Sequence, residues 1–328
     1  MKHRSFKRCC LLIGAVGIAF LPVASGAQGY PARPVRIIVP FAPGGAADVP
    51  GRILAAKLSE ALRQQFVIDN RPGAGGTIGA DVAAKAAPDG YTLLLISSTH
   101  LVSATLHGKR IQYDPINDFA QITEFGSAPN VLAVHPSLPA KSVKQLISLA
   151  KAQPGKIDFA SSGNGGSQHL FGALFISMAG IKLTHVPYKG SATAAADLVA
   201  GQVPVGFPGI AVALPHVKTG RLRALGLTGA KRSVAMPDVP TIAEAGVPGY
   251  EATLWLGLAA PRNTPRDIVV KLHGEAVKAL KLPELQKSFL ASGTEVSYQE
   301  TPEQFTAYVK SEAVKWAKVV QLSGAQVN

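Results

Sequence analysis

Short runs of β-branched and apolar residues recur along this chain, each followed by a longer amphipathic stretch, and that alternation constrains the fold more than any other feature. VRIIVP (35–40), QFVIDN (65–70), YTLLLISS (91–98), VLAVHP (131–136), KIDFASS (156–162), KLTHVPY (182–188), VPVGFPG (203–209) and LRALGLTG (222–229) read as buried strands. Between them, residues 48–65, 77–87, 142–153, 167–180 and 191–202 read as helices, most of them closed by Gly or a turn. Such alternation predicts an α/β fold with mostly parallel sheets flanked by helices. Residues 265–327 read as mostly helical, with Thr301 ahead of Pro302 and Glu303 marking a helix start. No internal repeat or Ser-rich linker is visible, so two domains would be joined by strands that cross between them.

The first residues are of another kind. Lys2, Arg4, Lys7 and Arg8 precede an apolar run at 9–24, then Ser25, Gly26 and Ala27, which is the pattern of a secretory signal peptide cleaved near Gln28. The only cysteines, Cys9 and Cys10, lie inside it, so the mature chain is expected to carry neither disulfides nor thiol chemistry. Without those four basic residues, 29 Lys and Arg face 20 Asp and Glu, a formal +9 that favours anionic partners. Nucleic acid is not expected, because the basic residues are dispersed and aromatics are few. No later stretch reaches a membrane-spanning length, so a soluble mature protein is expected.

Three glycine turns invite a functional reading. FAPGGAADVPGR (41–52) lies where a parallel strand passes into its helix, the place where open α/β sheets hold ligands. First-turn amides and the positive end of the helix dipole suit a carboxylate or phosphate there. Gly44 and Gly45 allow close backbone approach, and Asp48 is a candidate helix cap. SSGNGGSQH (161–169) repeats the design, with Ser167 expected as N-cap after Gly165 and Gly166. Alternatively, each is merely a tight strand-to-helix turn.

The third turn, NRPGAGGTIGAD (70–81), nearly fits G-x-G-x-x-G, but the last glycine comes one place late and no acidic residue ends the next strand. No P-loop, G-x-S-x-G or H-E-x-x-H occurs, so nucleotide, serine-hydrolase and zinc chemistry lack their signatures. Ser167 and His169 are two apart on a helix and point away from each other, so His169 is expected to brace the loop or pack. His100, His185, Trp255 and Tyr188 can reach a pocket or simply pack.

Taken in order, YPARPVRIIVPFAPGGAADVPGR, NRPGAGGTIGADVAAKAAPDGYTLLL, ASSGNGGSQHL, HVPYKGSATAAADLVAGQV, PDVPTIAEAGVPGYEATLWLGLAAP and KWAKVVQLSGA resemble the Bug receptors, the extracytoplasmic solute-binding proteins of tripartite tricarboxylate transporters. The resemblance covers nearly all of the expected mature chain. It implies a type II-like periplasmic binding protein of two domains, 28–125 plus 253–328 and 126–252, closing over a small carboxylate and serving a permease of two membrane subunits. It further implies that the ligand meets Phe41, Pro43, Gly44, Gly45 and Asp48 on one loop, and Ser161, Ser162, Gly163, Gly165, Gly166, Ser167 and His169 on another. Ser98, Thr99 and Asn130 would line the same cleft.

In one respect the chain departs from this pattern. Where the family usually reads VDLMFDN after a GGQ turn, with an acidic residue entering the pocket, this chain reads VPVGFPG and presents Pro208 and Gly209. A ligand ammonium loses its partner, so a non-amino carboxylate is expected. The reading is therefore a periplasmic, monomeric receptor without catalysis, cofactor or metal. An exported α/β hydrolase, and an orphan receptor feeding a sensor, are the alternatives.

Overall fold

The computed structural model describes residues 29–325. The expected signal segment, with Cys9, Cys10 and the expected Ala27–Gln28 cleavage junction, lies outside them. From Pro31 onward the chain forms one compact unit built around two five-stranded sheets.

The first sheet is assembled by β1 (Val35–Val39), α1 (Asp48–Leu62), β2 (Phe66–Asn70), α2 (Thr77–Ala84), β3 (Thr92–Ser97), α3 (Ser98–His107) and β4 (Phe119–Pro129). The chain then leaves at Asn130 for β5 (Val131–Val134), α4 (Val143–Ala152), β6 (Asp158–Ser161), α5 (Ser167–Ala179), β7 (Thr184–Pro187), α6 (Ser191–Val199), β8 (Val205–Gly206), α7 (Ile210–Lys218) and β9 (Arg223–Leu227). It returns as β10 (Thr253–Pro261) and ends in α8 (Arg266–Leu280), α9 (Pro283–Ala291) and α10 (Pro302–Ser323).

Strand order is β2-β1-β3-β10-β4 in one sheet and β7-β6-β8-β5-β9 in the other. The two orders are the same pattern. Each has a central strand flanked by two parallel neighbours, then a reversed strand, β10 or β5, and then an outer strand paired antiparallel to it. Mostly parallel thus holds for strand direction, while each sheet is mixed because one strand belongs to the chain's crossing.

The apolar runs become strands because their side chains are removed from water on both faces. Ile37, Ile38, Leu93 to Ile96 and Val131 to Val134 are all buried. One apolar cluster extends from Ile38 and Leu94 through Phe171, Trp255 and Trp316 to Leu132 and Phe159, linking the two sheets. Helix α10 packs against α3, β4 and α5. Its buried Glu312 accepts the indole N–H groups of Trp255 at 2.9 Å and Trp316 at 2.8 Å, which fixes the helix to β10. Trp255 is thereby a packing residue.

Beside this contact, β4 carries a second buried carboxylate, Glu124, 2% exposed, which accepts the Gln299 side-chain N–H at 2.7 Å. Burial pushes its pKa up to about 7 against the hydrogen bonds from Ser297 and Gln299, with Glu312 and Glu251 adding to the rise. A folded-state pKa above the unfolded one means that the protonated form stabilises the fold. That contribution is full below the ordinary glutamate range and is lost as pH rises through about 7. Glu124→Gln is therefore expected to raise the unfolding free energy at about pH 8 by about 1–2 kcal/mol and to change it little at about pH 5. Urea denaturation at both pH values checks this.

Candidate functional site

The two glycine loops occupy equivalent places. Residues 40–47 connect central strand β1 to α1, and residues 162–166 connect central strand β6 to α5. Both leave the carboxyl end of a strand flanked by parallel neighbours, where first-turn amides face outward.

In the first loop, residues 42–46 are exposed, while Asp48 is 1% exposed. The Asp48 carboxylate accepts the Gly44 N–H, the Arg52 Nε–H and the Asn70 Nδ2–H, each at 2.8 Å. Asn70 also donates to the Phe41 carbonyl at 3.0 Å. Burial by itself would raise the Asp48 pKa, but the hydrogen bonds from Arg52, Asn70 and Gly44 outweigh it and hold the carboxyl below its usual range. Asp48 is the first residue of α1, behind Ala47, and caps nothing with its side chain. Its oxygens are committed to shaping the loop. The N–H groups of Gly45, Ala46 and Ala47 meet no acceptor among the described residues.

Gly44 adopts φ +77°, a conformation that β-branched residues avoid, and a Cβ there would meet nothing within 4 Å. Gly45 has no positive φ, so the strained position of this turn is Gly44. The third glycine turn backs the first: a Cβ on Gly76 would approach Pro40 at 3.3 Å and Phe41 at 3.7 Å. Ser103 of α3 donates to the Gly75 carbonyl at 2.7 Å. This turn is left-handed through Ala74, Gly75 and Gly76, with φ of 46°, 65° and 97°. It is a support for the first loop, which agrees with its poor fit to a dinucleotide fingerprint.

In the second loop Gly163 and Gly165 have φ of 122° and 72°. Their amides are spent internally. Gly163 N–H donates to Ser161 Oγ at 3.1 Å, Gly165 N–H to His169 Nδ1 at 3.1 Å, and Gly166 N–H to the Gly163 carbonyl at 3.2 Å. Ser167 is the first residue of α5 and Gly166 is its N-cap, without a side-chain cap bond. The expectation that Ser167 caps the helix is thus corrected, because the loop places glycine one position too late for the serine to reach back. His169 braces the loop, and its ring nitrogen serves Gly165 rather than Ser167.

A serine–histidine pair does exist elsewhere: Ser161 Oγ lies 2.5 Å from His185 Nε2. Ser161 is completely buried and also bonded to Gly163, which suits a brace and not an exposed nucleophile. His100 is buried and bonded to the Pro115 carbonyl at 3.0 Å, so it packs.

The remaining expected residues lie at other strand ends. Ser98, buried, and Thr99, half-buried, open α3 at the end of β3. Asn130 donates its side-chain N–H to the Phe207 carbonyl at 2.5 Å, its backbone bonds Thr228, and it bridges to Gly209. Pro208 is buried, its carbonyl accepting the Val131 N–H at 2.9 Å. Asn130 and Pro208 therefore join the crossing strand to the start of α7. Leu106 of α3 sits against the second loop, 3.0 Å from where a Gly165 Cβ would stand. Asn70, His185 as the brace of Ser161, and Leu106 were not legible in the sequence, since each acts through a residue distant in sequence, whereas Arg52 stands one helical turn from Asp48, an i,i+4 spacing that could have found it.

Removing the Asn70 side chain leaves the Phe41 carbonyl and one Asp48 oxygen without their donor. Asn70→Ala is expected to lower the unfolding free energy by about 2 kcal/mol and to speed amide exchange in residues 41–48. Denaturant unfolding and exchange mass spectrometry check both effects.

The sequence matches the tripartite tricarboxylate transporter family receptor, TctC, over residues 51–325. It is 39% identical over 318 residues to Protein BugT of Bordetella pertussis, covering 97% of this chain and 96% of that one. Among solved structures, a Rhodopseudomonas palustris protein with adipate shares 37% identity and a TM-score of 0.74, covering 91% of this chain and 100% of the other. MatC of the same organism, with bound malate, shares 33% identity and a TM-score of 0.70, covering 89% and 100%. Paired sheets, equivalent glycine loops and this similarity along the chain agree, and the protein belongs to the tripartite tricarboxylate transporter receptor family, a class of solute-binding receptors that includes the Bug proteins.

Proposed function

We propose that the protein is an exported periplasmic receptor that captures a small organic carboxylate and delivers it to a two-subunit membrane permease, with no chemistry of its own. The observation that carries this reading is the equivalence of the two loops, each a glycine turn at the carboxyl end of a central strand that opens a helix. Unpaired amides at such helix starts favour anions. Relatives solved with adipate and with malate support the carboxylate class. Phe41, Pro43, Gly44 and Gly45 would meet one end of the ligand, and Ser162, Ser167 and the first turn of α5 the other, with Ser98 and Thr99 beside them. Asp48, Ser161, Gly163, Gly165, Gly166, His169, Asn130 and Pro208 would shape the walls.

A thermal-shift screen of di- and tricarboxylates tests the reading. A ligand at about 100 times its Kd stabilises by about 2.7 kcal/mol, and denaturation should release it unaltered. Recovery of a converted product would overturn the receptor in favour of an enzyme.

Backbone recognition makes glycine conformation matter more than a hydroxyl. Gly44→Val should weaken dicarboxylate binding by about thirtyfold or more while leaving the fold intact, since the residue is exposed and only its positive φ resists the side chain. Ser167→Ala should cost only about fivefold. Calorimetric titration with circular dichroism on the same samples separates these outcomes, and the reverse ranking would assign recognition to side chains.

Pro208 supplies no anionic partner to a ligand ammonium, and Asp48 accepts from Gly44, Arg52 and Asn70. Aspartate is therefore expected to bind at least about tenfold more weakly than succinate, because an unpaired charge is costly to desolvate. Competitive titration measures the ratio.

A further inference from the structure

Beneath the second loop lies a pair of imidazoles stacked face to face. His169 on α5 and His185 on β7 have ring centroids 3.9 Å apart and planes within 2°, and Phe159 stacks on His185 at 5.0 Å. His169 Nδ1 accepts the Gly165 N–H, so the His169 proton must reside on Nε2, because a hydrogen on Nδ1 would oppose that of the amide. Ser161 Oγ accepts the Gly163 N–H at 3.1 Å, donates to the Gly163 carbonyl at 3.2 Å and is hydrogen-bonded with His185 Nε2 at 2.5 Å. Both positive-φ glycines of the loop are thus tied to the stacked rings, one directly and one through Ser161.

The rings border a cavity of about 400 Å³ whose other walls are Phe159, Ala173, Ile176, Ile181, Leu183 and Leu322, with the hydroxyls of Ser177 and Ser323 and the backbone of Gly180. No charged side chain lines it among the described residues. No charge there offsets a proton. Burial holds His169 below its usual pKa, and burial with the neighbouring His169 charge takes His185 down to about 4.

We propose that His169 and His185 are positioning residues of the 161–166 loop, holding the Gly163 and Gly165 amides inward so that the Asn164 amide and the first turn of α5 are left to the anion, and that binding depends on both rings staying uncharged. The inference rests on the reading that this loop holds a carboxylate. Protonating Nδ1 of His169 removes the acceptor for Gly165, and a charge on either ring is repelled by a charge on its partner. Because both folded pKa values are depressed, the contribution to folding stability is complete above about pH 6.5 and is lost as pH falls through the folded values, about 4 for His185, and the loop amides lose their brace only where the folded rings take up protons.

The test uses the mature chain with adipate and succinate as probes. In the ligand-free protein at about pH 7.5, imidazole nitrogen shifts should show His169 protonated at Nε2 alone, with the Gly165 amide protected from exchange. His169→Leu should speed that exchange and weaken dicarboxylate binding about tenfold. His169→Asn, whose amide oxygen stands near the Nδ1 position, should recover most of both, and His185→Gln should behave likewise for Gly163. Between about pH 7.5 and about pH 4, where His185 titrates in the folded protein, affinity should fall more in the wild type than in His169→Asn, which shares the same ligand protonation. Unchanged affinity in His169→Leu, or a proton on Nδ1 of His169, would overturn the proposal. A wild type that binds no carboxylate would instead overturn the proposed function, while the nitrogen shifts and the Gly165 exchange still decide whether the pair braces the loop.

Discussion

The antiparallel pairing of β4 with β10 is the constraint on which the rest depends. β4 carries the chain out of the first sheet and β10 carries it back, and they are paired from Phe119–Pro261 to Pro129–Thr253. Because β10 enters between β3 and β4, the first sheet is incomplete until the second has been traversed. The same geometry forces one reversed strand into each sheet. At the far end of the ribbon, Asn130 bonds Thr228 and Phe207, so the crossing is fastened to the β8–α7 turn and to the residue that follows β9. Glu312, set between two indoles, holds α10 against the ribbon.

On this frame the loops follow one physical rule: side-chain hydrogen bonds fix the backbone, and the backbone is what faces outward. Asp48, Arg52 and Asn70 do this for the first loop, and Ser161, His169 and His185 for the second. A carboxylate can brace the first loop because a guanidinium and two N–H groups compensate its charge. The second is braced by neutral rings because no charged side chain lines the cavity behind them. Both arrangements leave main-chain amides at a helix start, a donor set that selects for negative charge and reads little else of a molecule.

Strands and helices with clean periodicity were legible in the sequence, and elements that mix signals were not. β4 reads FAQITEFGSAP, and its Gln121, Thr123 and Glu124 are buried, so it lacks the apolar run that marks an interior strand. α3 follows β3 with no loop and contains β-branched residues, so its start merged with the strand. α7 carries Pro215 and reads as a broken segment. The matched order of the two sheets was also hidden, because equivalent strands share a position in space without sharing residues.

What the sequence determined by itself was local: an α/β alternation, glycine turns between strand and helix, and an excess of positive charge, all of which follow from side-chain periodicity and backbone freedom near each residue. The family resemblance extended this to two sheets and a carboxylate, through motifs that are themselves contiguous. Tertiary structure alone decided which groups are free to act. The family resemblance assigns Asp48, Ser161 and His169 to the ligand site, and the fold engages their polar atoms with Arg52, Asn70, His185 and the loop amides. Partnerships such as Asp48–Asn70 and Ser161–His185, 22 and 24 residues apart, are set by the packing of elements, and a polar atom can be assigned to a ligand only after the fold has claimed its share.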